Sequence, residues 1–192
     1  EEGLIAASRI AEKTGAKLFA EVFPTRLERG AGLPNVERIA YLAEMASVQL
    51  KGYEHLIVID AMEPVSFFAY PDVPSQIAPQ GCEQLRLAGP NDDIDGLLRV
   101  MLERLDALDE QPALNTLELP ALPTGPLDVT AAAVALANLM PENAIVVDEA
   151  ATSGMPIYPL TANSRPHDVL NLTGGSIGWG LPAAVGAAIA CP

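Results

Sequence analysis

The chain has 192 residues, 49% of them hydrophobic, 19% charged and 5% aromatic, with 25 acids against 11 bases and a formal net charge of −14. That length and composition make a globular chain with room for one domain and part of another, and exclude a disordered one. A surface this acidic repels phosphate backbones and no Lys/Arg cluster offsets it, so nucleic acid is excluded as a partner.

The first elements follow local signals. Leu4, Ile5, Ala7, Ser8, Ala11 and Glu12 keep helical spacing, and Gly15 supplies a C-terminal cap. KLFAEVF (17–23) reads as a strand stopped by Pro24. FPTRLERGAGLP (23–34) sets Arg26 and Arg29 beside glycines, the composition of an anion-binding loop. Asn35 is a good N-cap for a helix whose face carries Val36, Ile39, Ala40, Ala43, Met45 and Ala46. HLIVIDA (55–61) is a continuous apolar run, the pattern of a strand buried on both sides. EQLRLA (83–88) is a weaker strand, and Ile94 to Leu108 is an amphipathic helix opened by Asp92 or Asp93. This alternation predicts an α/β fold with a doubly wound parallel sheet and right-handed crossovers. Leu56, Ile57, Val58, Ile59, Leu98 and Leu105 are its expected core.

Residues 110–125 contain three prolines and no periodicity, and read as a linker. It divides the chain into domain 1–109 and a second α/β unit, 126–192. In that unit PLDVTAAAVALANLM is a helix, NAIVVDEA holds a buried strand, and ATSGMPIYPL starts a short helix or turn. DVLNL is a strand, and LPAAVGAAIA is a helix with Pro182 in its first turn. Two strands are too few to bury the faces of a parallel sheet. The second unit therefore reads as truncated, with a bare sheet edge and apolar helix faces that predict a homo-oligomer. Cys82 and Cys191 belong to no Cys-x-x-Cys pair and read as reduced, buried thiols of a cytoplasmic protein. No run approaches the roughly 18 apolar residues of a membrane span, so no membrane partner is expected.

The chemistry concentrates in Gly174-Gly175-Ser176-Ile177-Gly178-Trp179-Gly180, which lies between a strand and a helix, where open α/β sheets bind ligands. Glycines there let the backbone turn tightly and expose its N–H and C=O groups. The order G-x-x-G-x-G departs from the dinucleotide fingerprint, and by spacing alone the glycines serve equally well for close helix–strand packing. His55 and His167 read as surface or capping residues. Glu149 either lines a pocket or ends a strand. No general base is evident, and no catalytic residue is assigned.

The whole string GGSIGWGLPAAVGAAIACP (174–192) resembles the segment of thiamine-diphosphate-dependent enzymes that crosses the aminopyrimidine end of the cofactor, above all in acetolactate synthase large subunits. The resemblance covers the chain. Residues 1–109 are similar to that family's Rossmann-like middle domain, 110–125 fall at its linker, and 126–192 are similar to the start of its diphosphate-binding domain. It implies a carboligase or decarboxylase acting on a small 2-oxo acid, with thiamine diphosphate and Mg2+ as cofactors. Ile177 matches the bulky aliphatic wedge that keeps the cofactor bent, a role suited to a stiff branched side chain on an exposed turn. Gly174, Gly175 and Ser176 complete that turn, with the Ile177 N–H and the Gly175 carbonyl expected on the pyrimidine edge. Ala151, Thr152 and Ser153 fall where relatives hold the diphosphate, Ala151 giving one hydroxyl fewer; Thr152 and Ser153 also read as a plain N-cap. The family's magnesium ligands belong to a segment beyond Pro192, and its catalytic glutamate to a preceding domain. The resemblance thus implies half of a cofactor site, no metal ligand within the chain, and inactivity in isolation. Acetolactate synthases hold FAD in the middle domain while decarboxylating relatives keep the fold without flavin, so FAD stays open. Two alternatives stand: a benzoylformate-type decarboxylase, and a non-catalytic nucleotide-binding or assembly module.

Overall fold

The computed structural model describes residues 1–69 and 71–192 and mixes strands with helices along the chain. The helices are α1 (Glu2–Thr14), α2 (Ala43–Gln49), α3 (Ile94–Arg104), α4 (Val129–Leu139), α5 (Ile157–Leu160) and α6 (Gly180–Ala190). The strands are β1 (Phe19–Ala20), β2 (Arg26–Arg29), β3 (Glu37–Arg38), β4 (His55–Ile59), β5 (Glu83–Ala88), β6 (Ala144–Asp148) and β7 (His167–Asn171). Local chemistry sets several ends. Gly15 takes φ 73° and its N–H closes α1 on the Ala11 carbonyl. Asp93 opens α3 by accepting from the Gly96 N–H at 2.9 Å, and Asp128 opens α4 by accepting from the Ala131 N–H at 2.7 Å.

Parallel pairing dominates: β1 with β3, β4 with β5, and β6 with β7. On the other edge of β7, β2 runs antiparallel, so among the described residues the sheet order is β2-β7-β6. Leu27 faces Val169 and Arg29 faces His167 across that joint. The first half buries two small clusters. One packs Ile10 of α1 on Leu98 and Leu102 of α3 with Ala107, and the other gathers Ile39, Ala46, Leu50 and Ile77 around α2. Residues 110–125 carry no helix or strand but are tied to both halves. The Ala113 N–H donates to Ser8 Oγ at 3.0 Å, Asn115 Nδ2 to the Ala162 carbonyl at 3.1 Å, and the Glu118 N–H to the Asn163 carbonyl at 2.8 Å.

The mixed α/β fold with parallel pairing is the expected one, and several local expectations need correction. Where one sheet was predicted for 1–109, β1 pairs with β3 and β4 with β5 as two separate pairs, while β2 joins the sheet of β7. Arg26–Arg29 is therefore a strand and no anion-binding loop. The helix foreseen from Asn35 begins only at Ala43. Before it, β3 holds an extended chain: the Ile39 N–H donates to the Ala20 carbonyl at 2.9 Å, and Gln49 Nε2 donates to Glu37 Oε1 and the Arg38 carbonyl. Finally, β4 is not buried on both sides. Val58 is buried, but Ile57 is 56% exposed beside exposed Leu85 and Leu87 of β5. Leu105 lies past the end of α3 and is exposed too, while Leu98 is buried and Leu56 and Ile59 are half-buried. Of the cysteines, Cys191 is exposed and Cys82 half-buried, both unpaired.

Candidate functional site

Because β6 and β7 are parallel neighbours, the segments leaving their carboxyl ends emerge side by side. After β6 the chain turns through Glu149 to Pro156, and after β7 through Leu172 to Trp179. In open α/β sheets this is the edge at which ligands are commonly bound. All seven residues singled out by sequence lie on these two turns. Ala151, Thr152 and Ser153 are exposed on the first; Gly174, Ser176 and Ile177 are exposed and Gly175 half-buried on the second. The N-cap of α5 is Pro156, so Thr152 and Ser153 do not cap that helix.

The second turn is held from two sides. Gly175 has φ 68°, and a Cβ placed on it would lie 2.5 Å from Phe67 Cζ, so the turn seats flat against that ring. Phe67 is itself wedged among Phe23, Tyr41 and Phe68, with ring centroids 5.0–5.4 Å away. On the other side, the Glu149 carboxylate accepts from the N–H groups of Gly178 and Gly180, which hold it below the usual carboxylate range. A Cβ on Gly180 would fall 2.6 Å from Glu149 Oε2, so glycine makes room for the acid. Between these supports Ile177 projects with 91% of its surface exposed. The Ile177 N–H donates to the Gly175 carbonyl at 3.0 Å, so the two backbone groups expected on a pyrimidine edge here bond each other.

Phe67 and Glu149 are the supports that sequence reading did not assign. Phe67 gave no local signal beyond its neighbour Phe68. Glu149 stood as a pocket or strand-end residue, and its partners are backbone groups that no side-chain pattern reveals.

Beneath the site lies a buried polar layer. Arg29, 5% exposed, donates to Thr161 Oγ1 at 3.0 Å and to the Tyr158 carbonyl at 2.7 Å, and lies 3.4 Å over the Tyr158 ring. Desolvation pushes its guanidinium down to about 10, with the Arg38 charge working the same way. Arg38 donates to Asn171 Oδ1 at 2.7 Å and reaches Asp148 at 3.6 Å, linking β3 to the ends of β6 and β7. His167 gives its Nδ1 hydrogen to the Arg165 carbonyl at 2.8 Å, leaving Nε2 buried without a partner among the described residues. Burial pushes the imidazole below its ordinary range.

Thiamine diphosphate fits this edge in kind. A stiff apolar side chain stands clear of the surface on a braced turn, and exposed Thr152 and Ser153 hydroxyls stand on the adjoining one. FAD finds no comparable fit in the 23–34 segment. Arg26 is spent on Asp168, at 2.7 Å, and on Glu28, and Arg29 is buried against Tyr158. Among the described residues, no group of three or more His, Cys, Asp or Glu side chains is arranged to hold a metal ion. A cavity of about 300 Å³ opens elsewhere, between α1, residues 34–37 and residues 113–115. Its Lys17 and Glu37 form an ion pair with each other.

No protein-family model matches the chain. In sequence it is 50% identical, over an alignment covering 99% of this chain and 36% of the relative, to a Mycobacterium tuberculosis protein named "putative acetolactate synthase large subunit IlvX". In fold it is similar to "a putative thiamin diphosphate-dependent enzyme" from Mycobacterium smegmatis, with TM-score 0.61 at 23% identity over 98% of this chain and 39% of that one. It is also similar to the thiamine diphosphate-dependent 4-hydroxybenzoylformate decarboxylase of Rhodococcus jostii RHA1, with TM-score 0.64 at 22% identity over 98% and 38%. The fold is thus that of thiamine-diphosphate-dependent enzyme domains. The sequence similarity to the Mycobacterium tuberculosis protein runs along 99% of this chain. The chain spans 36–39% of the length of these proteins.

Proposed function

We propose that this chain supplies the wedge-bearing side of a thiamine diphosphate site in a 2-oxo acid carboligase or decarboxylase of the acetolactate synthase kind. The observation that carries the reading is Ile177, 91% exposed on a turn braced at the carboxyl ends of two parallel strands. Thiamine diphosphate, when bound, supplies the electron sink for cleavage of the bond next to the 2-oxo group. The chain's own residues bind and orient. Ile177 would support the cofactor from its exposed position, and the backbone of Gly174, Gly175 and Ser176 sets the turn. Ala151, Thr152 and Ser153 would hold the diphosphate, for which Mg2+ would supply the counter-charge. In this reading 1–109 is the middle domain, 110–125 the connection and 126–192 the start of the cofactor-binding domain of a cytoplasmic enzyme. Carboligation and decarboxylation share this half of the site.

Held by these groups alone, the cofactor binds weakly. Each net hydrogen bond contributes about 1 kcal/mol, against an association cost of at least about 4 kcal/mol. A net charge of −14 opposes a diphosphate further. The test is an amide NMR titration of the chain with thiamine diphosphate and MgCl2, run beside ADP and MgCl2, with calorimetry on the same samples. Shifts confined to 151–153 and 174–178, at millimolar cofactor only and without pyruvate turnover, are expected. No shift there, or the same shifts with ADP, overturns the cofactor reading in favour of a nucleotide or assembly module. Micromolar heat overturns the weakness instead.

A further inference from the structure

Glu149 has a geometry that neither the fold nor the cofactor resemblance requires. It follows β6 directly, yet its two carboxylate oxygens reach the turn after β7 and accept there from the Gly178 and Gly180 N–H groups. Trp179, the residue at the N-cap of α6, makes no side-chain cap bond, so the first amide of the helix is satisfied by Glu149 from another strand. Gly178 has φ 93°, a left-handed conformation that leaves its N–H pointing back at β6 instead of along the helix. Ile177 immediately precedes this clamped pair. Its own N–H is engaged two residues back with the Gly175 carbonyl, and Gly175 packs on Phe67.

We infer that Glu149 is a positioning residue: its ionised carboxylate latches the 174–180 turn to the end of β6 and thereby fixes the direction in which Ile177 projects. Its link to cofactor chemistry rests on the proposed function above; the latch does not. A carboxylate suits the task because it offers two acceptor oxygens and no donor, one for each N–H. An amide offers only one acceptor, and an Asp side chain, shorter by a methylene, does not span the same gap. Because Asp148 and Glu149 are adjacent in sequence, one latches the second turn while the other is directed elsewhere. Asp148 accepts from the Ala150 N–H at 2.9 Å and faces Arg38.

The test uses the intact chain without cofactor. Trp179 is the sole tryptophan and sits between the two clamped glycines, so its fluorescence reports on this turn alone. Glu149→Gln is expected to speed hydrogen exchange of the Gly178 and Gly180 amides about tenfold or more, in keeping with loss of a bond to a charged acceptor. The same variant is expected to raise acrylamide quenching of Trp179 and lower the NMR order parameter of the Ile177 methyls. Amides of 184–190 and the thermal midpoint should stay as they are. Gly180→Ala, which crowds the carboxylate without altering charge, is expected to reproduce those changes. Two results overturn the latch. One is fast exchange of Gly178 and Gly180 already in the unaltered chain. The other is a Glu149→Gln variant whose α6 amides all speed up while Ile177 order is unchanged, which marks a helix cap and nothing more. Neither outcome depends on thiamine diphosphate, so a failed latch and a failed cofactor reading are told apart.

Discussion

His167 and Arg29 stand opposite each other across the β2–β7 joint, two nitrogen-rich side chains turned into the interior of an acidic protein. Arg29 keeps its charge by stacking on Tyr158 and bonding to two oxygens, an arrangement that a lysine's compact ammonium cannot copy. His167 stays neutral, since desolvation and the nearby Arg29 both oppose a second buried cation, and only the Arg165 carbonyl and Asp168 pull the other way. In the unfolded chain this histidine takes up a proton near its ordinary value of 6.5, and in the folded chain only at lower pH. Between those values unfolding binds a proton, so acid favours the unfolded state. Its contribution is fully present above pH 6.5 and is lost as pH falls from there towards the folded value. Urea unfolding between about pH 7.5 and pH 5 should show stability falling by up to about 1.4 kcal/mol per pH unit at the steepest point. His167→Gln should flatten that slope, while exposed His55 is common to both proteins. An unchanged slope in the variant would place the titration elsewhere.

At the scale of elements, the joint between β2 and β7 is where the two halves of the sequence meet, and Gly30 ends it. With φ 112°, a Cβ at this position would sit 2.6 Å from the Arg165 carbonyl oxygen and 2.9 Å from Pro166 Cα, backbone atoms with no rotamer to yield. Gly30→Ala should cost at least about 2 kcal/mol in unfolding free energy. Gly32→Ala, at φ 81° with open space around it, should cost about 1 kcal/mol from backbone strain alone. Equal losses in the two variants would mean that this close approach does not matter. The same joint shows where sequence stops being informative. α1, α3, β4 and β5 are legible because their signals are local: a periodic face, an Asp93 cap, a Gly15 stop, an apolar run. β2 is not, since RLER has the alternation of a half-buried strand only once its partner is known, and that partner is more than a hundred residues away. Arg26 carries the charges of that pairing, bonding Asp168 on β7 and Glu28 on its own strand. Ile57 misled for a related reason, because an apolar side chain is buried only if another element covers it. The candidate site divides in the same way. Its glycines and Ile177 are visible as a string, whereas Phe67 enters through a contact made across the fold.

For the whole molecule, the deciding feature is α6. Its sequence, GLPAAVGAAIA, has no charged residue, and Leu181, Val185 and Ile189 are exposed at 78%, 54% and 76%. Soluble monomers rarely leave a helix so apolar uncovered. Burying Leu181, Val185 and Ile189 against a second copy yields up to about 1.5–3 kcal/mol for each side chain, which offsets an association cost of at least about 4 kcal/mol and favours self-association. Charge works against it, with −14 carried by each copy, so the expected contact is strengthened by salt as well as by concentration. Sedimentation velocity across a concentration series should therefore show a mass rising above the monomer's 20.2 kDa, earlier at high ionic strength. Leu181→Lys combined with Ile189→Lys should return the chain to monomer while leaving the protection of the β6 and β7 amides intact, since neither residue is buried. A monomer at every workable concentration and salt, with Leu181 and Ile189 unaltered, would show that the exposed face of α6 does not bind a second copy. Loss of association together with loss of β6 and β7 protection would show instead that α6 supports the fold itself, and a subtler pair, Leu181→Gln and Ile189→Gln, would then separate the two roles.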